Sequence, residues 1–348
     1  MAHHVIDLHC DSVASIMEGK DLRGSVPEVH IDVPRLKAGK VGMQVFAAYV
    51  PPETEAAFNY AAKLLDTIDE FARSDAHLTP VETAVQAKAA MACGKTGIML
   101  AVENGLAIES SLKKLEDLRR KKVRMMTLVH SEHMPWIASC TGSGNFIPEG
   151  AQAIEQNDRN DRGLSRFGEQ VVDAMHDLRI IPDVSHSSVN AFWDVIRRSK
   201  KPIVATHSCA YSICAAARNL NDDQLKAMGD SGSVIGVNFC STFLSDEFRL
   251  WYQNNKHLRQ GFTVIDSPIK VPMSLVLDHI DHMVTIAGED CIALGSDFDG
   301  IPSAPDGITG CDFYPVLEQE LRQRGYSDTR IEKIFNGNFL RLLEVWDR

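Results

Sequence analysis

Eight apolar, β-branched-rich runs recur along this chain, with longer stretches of helical spacing between most of them. The runs lie near residues 5–11, 41–50, 96–104, 124–130, 180–186, 202–208, 233–239 and 291–297. Each is continuous rather than alternating, which suits a parallel sheet covered on its outer face. Between them, patterns such as Ser111-Leu-Lys-Lys-Leu-Glu-Asp-Leu118 set leucines three apart, behind Ser110 or Ser111 as a cap. Eight strand–helix units predict an α/β chain folded as a TIM-type (β/α)8 barrel, with a doubly wound open sheet as runner-up. A barrel of this kind occupies all 348 residues as one catalytic domain. Two stretches read as long rim loops. Residues 131–166 carry Pro135-Trp136, Gly142-Ser-Gly144 and Pro148-Glu-Gly150, and residues 240–272 carry Phe243, Phe248, Trp251 and Tyr252. The Gly142-Ser-Gly144 motif lacks the third glycine and the strand–helix context of a dinucleotide fingerprint.

Charge narrows the partners. With 36 basic against 47 acidic side chains and a net charge of −11, the chain lacks the basic footprint that nucleic acid requires. No run approaches the roughly 18 apolar residues that span a bilayer, and the strand-like Val5-Ile-Asp-Leu-His-Cys-Asp11 begins at once, without the pattern of a leader. Eight scattered cysteines without a CxxC pair read as reduced thiols. The expectation is a cytoplasmic protein with no membrane partner, a homodimer being the assembly left open.

The ends of the runs carry the chemistry. His186 closes one, His207 another, Glu103 a third, and His9 with Asp11 the first. An ionisable group at the end of a buried strand is costly unless something neutralises it, and the C-terminal rim of a parallel barrel is where active sites assemble. Singly, each histidine is more often a hydrogen-bonded structural residue than a ligand; five such residues at four strand ends point to a metal site. Positions two apart share a strand face, so His9 and Asp11 suit one ion, with Asp7 a layer deeper orienting His9 or lining polar space. Glu103 has two oxygens with which to bridge, leaving His186 and His207 for a second ion. Zinc takes imidazole and carboxylate ligands, and two bridged ions acidify a shared water to hydroxide near neutral pH.

Three further residues complete a reaction centre. His130, closing Thr127-Leu-Val-His130, is placed to donate to a developing oxyanion. Asp297, in Leu294-Gly-Ser-Asp-Phe-Asp-Gly300, is placed to take and return a proton; Asp299 is the competing carboxylate, with Asp297 favoured because it stops nearer the core. Arg218 is either a clamp for a substrate carboxylate or an ordinary surface arginine. Other histidines read as bystanders: Asp278-His-Ile-Asp-His282 lies within a helix packed outside the barrel, His3 and His4 are terminal and expected to be disordered, and His133 and His176 lack strand-end placement, though His133 lies in a loop that can line the site.

Together these residues resemble the membrane dipeptidase (renal dipeptidase) family of zinc peptidases, within the amidohydrolase-like, metal-dependent hydrolase barrels. The matching pieces are Asp7-Leu-His-Cys-Asp11, Glu103-Asn-Gly105, His130-Ser131 with Pro135-Trp136, Asp183-Val-Ser-His186, His207-Ser208 with Arg218-Asn219, and Gly295-Ser-Asp-Phe-Asp-Gly300, in the family's order. The resemblance implies two zinc ions bridged by Glu103, one held by His9 and Asp11, the other by His186 and His207. It also implies His130 at the scissile carbonyl, Arg218 on the C-terminal carboxylate, Asp297 on the proton in transit, and a dipeptide substrate with a D-residue tolerated at its C-terminal position. Mammalian members are secreted, lipid-anchored and disulfide-bonded; Glu132 stands here where they have a disulfide cysteine, in keeping with the cytoplasmic expectation. The same residues bear on three other functions. Hydrolysis of another small amide, lactam or lactone uses the same machinery. A phosphotriesterase-type centre wants a metal-bridging lysine, but Lys121 and Lys122 only precede the 124–130 run. A non-catalytic barrel would have lost a ligand, and none is missing.

Overall fold

The computed structural model describes residues 3–141, 163–260, 263–264 and 267–348. The Gly142-Ser-Gly144 and Pro148-Glu-Gly150 stretches lie outside those residues. Nine parallel strands form the main sheet: β1 Val5–Cys10, β2 Val41–Tyr49, β3 Leu78–Pro80, β4 Thr96–Glu103, β5 Met125–Thr127, β6 Ile181–Asp183, β7 Val204–Ser208, β8 Val234–Val237 and β9 Ile292–Leu294. The order is β2-β1-β9-β8-β7-β6-β5-β4-β3, and β2 also pairs with β4 along its length. That pairing closes eight strands into a TIM-type barrel and excludes the open sheet. β3, which the sequence pattern does not reveal, is a three-residue strand against the first half of β4.

The helices sit where 3.6-residue spacing put them. Leu112–Arg120 starts at Ser111, whose hydroxyl accepts from Lys114 N, and buries Leu115 and Leu118 against the sheet. Ser274–Ala287 carries His279 and His282 on the outside of the barrel as expected. His3, expected to be disordered, is instead anchored by Glu318, with His3 Nδ1 3.1 Å from its carboxylate. The 240–272 region is not a bare loop. It holds the helices Ser241–Leu244 and Asp246–Asn254, the second capped by Ser245 with Asp246 and Glu247 in its first turn, which suits the helix dipole. Among the described residues no helix is long and apolar enough to cross a membrane.

Inside the barrel, Ile6 and Leu8 of β1, Met43 and Val45 of β2, and Met99 and Ala101 of β4 pack with Phe339, Leu343 and Trp346 of the final helix, Asn338–Asp347, which plugs the end where the strands begin. Strict alternation would put His9 on the outside with Asp7. Between the pairs Asp7↔Gln44 and Cys10↔Phe46, however, β1 advances three residues while β2 advances two. This extra residue is a β-bulge, a device that re-aims a side chain, and it turns His9 into the mouth. β7 does the same between Ala205↔Ile235 and Ser208↔Val237, at His207. Glu103 needs no such help, because β4 alternates regularly through Met99 and Ala101 to its last residue.

Candidate metal centre

Glu103 is the hub of the mouth, buried among four imidazoles. Its Oε2 lies 3.5 Å from His9 Nε2. Its Oε1 lies 3.1 Å from His186 Nε2, 3.5 Å from His207 Nε2 and 3.8 Å from His130 Nε2. Asp11 Oδ2 is 3.6 Å from His9 Nε2, and Asp297 Oδ1 is 4.0 Å from the same nitrogen. The two Nε2 atoms of His186 and His207 stand 3.0 Å apart. Three overlapping groups of potential ligands result: His9–Glu103–His207, Glu103–His130–His186 and His9–Asp11–Asp297.

These spacings fit metal ions. A tetrahedral zinc with bonds near 2.0–2.1 Å sets its ligand atoms roughly 3.3 Å apart, and the contacts to His9, His186 and His207 bracket that value. His9 Nε2 and Asp11 Oδ1 are buried without a hydrogen-bond partner, which is expensive for polar atoms unless a cation completes them. The charges agree. Burial opposes protonation of His9, yet the Glu103 and Asp11 carboxylates outweigh it and hold the ring well above its ordinary range. Burial, opposed by His9 and reinforced by Asp11 and Glu103, pushes the Asp297 carboxyl up to about 8. Burial, with Arg218 adding to it, holds His130 down to about 3 and His186 well below its usual value. Asp11 and Asp297, both raised chiefly by burial, stand beside His130, His186 and His207, which burial holds low, and together they form a donor set suited to cations.

His130, His186 and Asp297 do not sit on strand ends. Each lies three residues beyond its strand, after Thr127, Asp183 and Leu294. His186 (φ 67°) and Asp297 (φ 62°) adopt left-handed backbone, costly for a histidine. Two buried carboxylates hold the turns. Asp183 accepts from Thr127 Oγ1 and Thr206 Oγ1, both at 2.6 Å, and from Ser185 N at 2.9 Å, knitting β5, β6 and β7 beneath His186. Asp7 points outward, not deeper into the mouth, because it precedes the bulge. It accepts from Ser296 Oγ at 2.6 Å, Ser296 N at 2.9 Å and Tyr314 OH at 2.7 Å, which fixes the turn leading to Asp297. Gly300 leaves room for both carboxylates, since a Cβ there would stand 2.0 Å from Asp11 Oδ2 and 2.7 Å from Asp297 Oδ1 and would displace them.

Asp297 Oδ2 accepts from Asn238 Nδ2 at 2.9 Å, which leaves Oδ1 toward His9. Asp299 turns away, onto Ser12 Oγ at 2.5 Å and His30 N at 2.7 Å. Arg218 is 3% exposed, so it is not a surface arginine. Its Nη2 donates to His207 O at 3.0 Å, and its guanidinium lies over the Phe243 ring at 5.4 Å. His279 accepts from Ala210 N, His133 accepts from Ser139 N and His176 stacks on Trp346, so none of them joins the cluster. Asn238 and Tyr49, whose ring lies 4.6 Å from that of His130, are residues of the mouth that the sequence reading missed. Both end or follow apolar runs, the same signal that exposed His207.

Comparison with known proteins decides the family. Residues 1–347 match the family model of the membrane dipeptidases, peptidase family M19. The chain belongs to that family. Dipeptidase 3 of Rattus norvegicus is 28% identical over 308 residues, 88% of this chain and 57% of the rat protein; the chain thus spans little more than half of that relative. Dipeptidase AC, a metallopeptidase of known structure, is 25% identical, with a TM-score of 0.83 over 100% of both chains. A Rhodobacter sphaeroides metallopeptidase, solved with a phosphinate mimic of L-Ala-D-Ala, shares the fold at 24% identity, with a TM-score of 0.85 over 99% of each chain.

Proposed function

We propose that this protein is a binuclear zinc dipeptidase that hydrolyses free dipeptides and accepts a D-residue at the C-terminal position. His9, Asp11 and Glu103 would hold one ion, and Glu103, His186 and His207 the other. Zinc so placed acidifies water and polarises a carbonyl. The observation that carries the reading is Glu103, whose two oxygens face separate sets of ligand atoms, His9 on one side and His186 with His207 on the other.

The chain's own residues do the rest. Arg218 binds the substrate carboxylate; its guanidinium is preset by the His207 carbonyl and the Phe243 ring, so little freedom is lost on binding. His130, kept neutral by burial and engaged at Nδ1 by Ser131 Oγ at 3.2 Å, turns Nε2 toward the carbonyl. Asp297, pinned through Oδ2 by Asn238, holds a proton at Oδ1 and passes it to the leaving amine. A clamp on the carboxylate, not on the side chain, favours either configuration at that residue. Eight free thiols, seven of them buried, support work in a reducing compartment such as the cytoplasm. The test is a rate comparison of L-Ala-D-Ala, L-Ala-L-Ala and L-Ala-L-Ala-amide with zinc-loaded protein. Both free acids should be cleaved and the amide poorly; equal cleavage of the amide would move the activity to small amides in general.

A further inference from the structure

Three imidazoles gather on Glu103 Oε1, and two have their far nitrogens engaged. His207 Nδ1 meets Thr206 Oγ1 at 2.8 Å, and His130 Nδ1 meets Ser131 Oγ at 3.2 Å. His186 Nδ1 is buried and meets no protein group. An imidazole that offers Nε2 to a metal carries its proton on Nδ1, and that proton normally reaches an acceptor that fixes the ring. Ser187 Oγ, Arg218 Nε and Asn219 Oδ1 are also buried and unpartnered. All four residues line one cavity of about 10 Å³, close to the space a single water needs.

The valences match as well as the volume. His186 Nδ1–H and Arg218 Nε–H are donors in want of an acceptor. Asn219 Oδ1 is an acceptor in want of a donor, and the Ser187 hydroxyl serves either way. Asn219 cannot be flipped to change this count, because its Nδ2 already donates to Cys214 O and Phe243 O, both at 2.8 Å. A water molecule accepts two hydrogen bonds and donates two.

We infer that this cavity is a specific site for one buried water, bridging the metal-facing imidazole of His186 to the substrate-binding guanidinium of Arg218. The inference rests on the roles proposed above for those two residues. It makes the carboxylate clamp and one metal ligand a single unit: the water fixes the His186 ring from behind and holds Arg218 through Nε, a nitrogen that the His207 carbonyl does not restrain.

A crystal structure of the zinc-loaded wild type, resolved well enough to show waters, should place one water within hydrogen-bond reach of at least three of the four atoms. Ala217 also lines the cavity, and Ala217→Val should fill it. In competition with a chelator, that variant should hold its more weakly bound zinc about tenfold less tightly, the usual scale for losing a partner behind a metal ligand. Ser187→Ala should lose less. A dry cavity in the wild-type crystal overturns the inference, as does a crystallographically filled cavity in Ala217→Val with unchanged zinc affinity. Neither measurement depends on the substrate, so failure of the dipeptidase reading would register separately, as wild-type protein that binds zinc and leaves dipeptides intact.

Discussion

At the bottom of the barrel, Trp346 and Leu343 of the final helix fill the lumen, the indole donates to Pro202 O at 2.6 Å, and Arg124 pairs with Asp347 at 3.0 Å. At the mouth, the strand ends and the turns after them bring three carboxylates and four imidazoles into one small volume, two of them on left-handed backbone. The lower end is built as a core is built, with apolar surface buried and its polar groups largely paired. The upper end buries charge that its own protein groups do not satisfy. The same strands therefore serve two purposes, and substitutions at the two ends should fail in different ways.

The largest separation is expected from Asp297→Asn. It should leave zinc bound and the melting temperature little changed while lowering kcat about a hundred- to ten-thousand-fold. If Asp299→Asn were the crippling change instead, the proton carrier would be the carboxylate held by Ser12 and His30. At the other end, Trp346→Ala should cost roughly 3–5 kcal/mol of stability and leave kcat/KM per folded molecule unaltered, as read from urea unfolding beside active-site titration. A Trp346→Ala protein that is stable but slow would erase the division between the two ends.

His279 sharpens the comparison because it is a buried histidine with both nitrogens served by backbone: Nδ1 accepts from Ala210 N at 3.1 Å and Nε2 faces Leu244 O at 3.2 Å. Burial holds its pKa down to about 4. The unfolded chain takes up this proton near pH 6.5, and the folded chain refuses it until about pH 4. Its contribution is therefore intact above pH 6.5 and is lost as the pH falls toward 4, by up to roughly 3 kcal/mol. Urea midpoints against pH should show that slope in the wild type and a shallower one in His279→Gln; parallel profiles would remove His279 from the account. The smallest effect is Arg218→Ala, which should lower kcat/KM for free dipeptides about ten- to a hundredfold, the worth of a charge-assisted pair, and barely change the already poor amides.

Much of this is legible in the sequence. All eight barrel strands coincide with apolar runs, because strands covered on both faces must be continuously apolar. Glu103 was readable for the same reason, sitting at the end of a regular strand. Alternation pairs His9 with Asp11 in sequence, an argument that the bulge in β1 breaks, while His207 is read from its place at the end of a run; both face the mouth because of an extra residue that leaves no trace in composition. Asp7 was misplaced for that reason. The sequence places His130, His186 and Asp297 at strand ends because the apolar character runs on for three residues after the ladder stops. Asp183 is invisible as a support, since a carboxylate that ties three strands looks in sequence like one more ligand.

The central claim is that Glu103 joins two ions into one centre. Elemental analysis of zinc-loaded wild type beside Glu103→Gln, with turnover measured on the same samples, tests it directly. The wild type should carry about two zinc ions per chain, and Glu103→Gln should lose at least one of them together with nearly all hydrolysis. Two ions retained in Glu103→Gln with unimpaired turnover would contradict it.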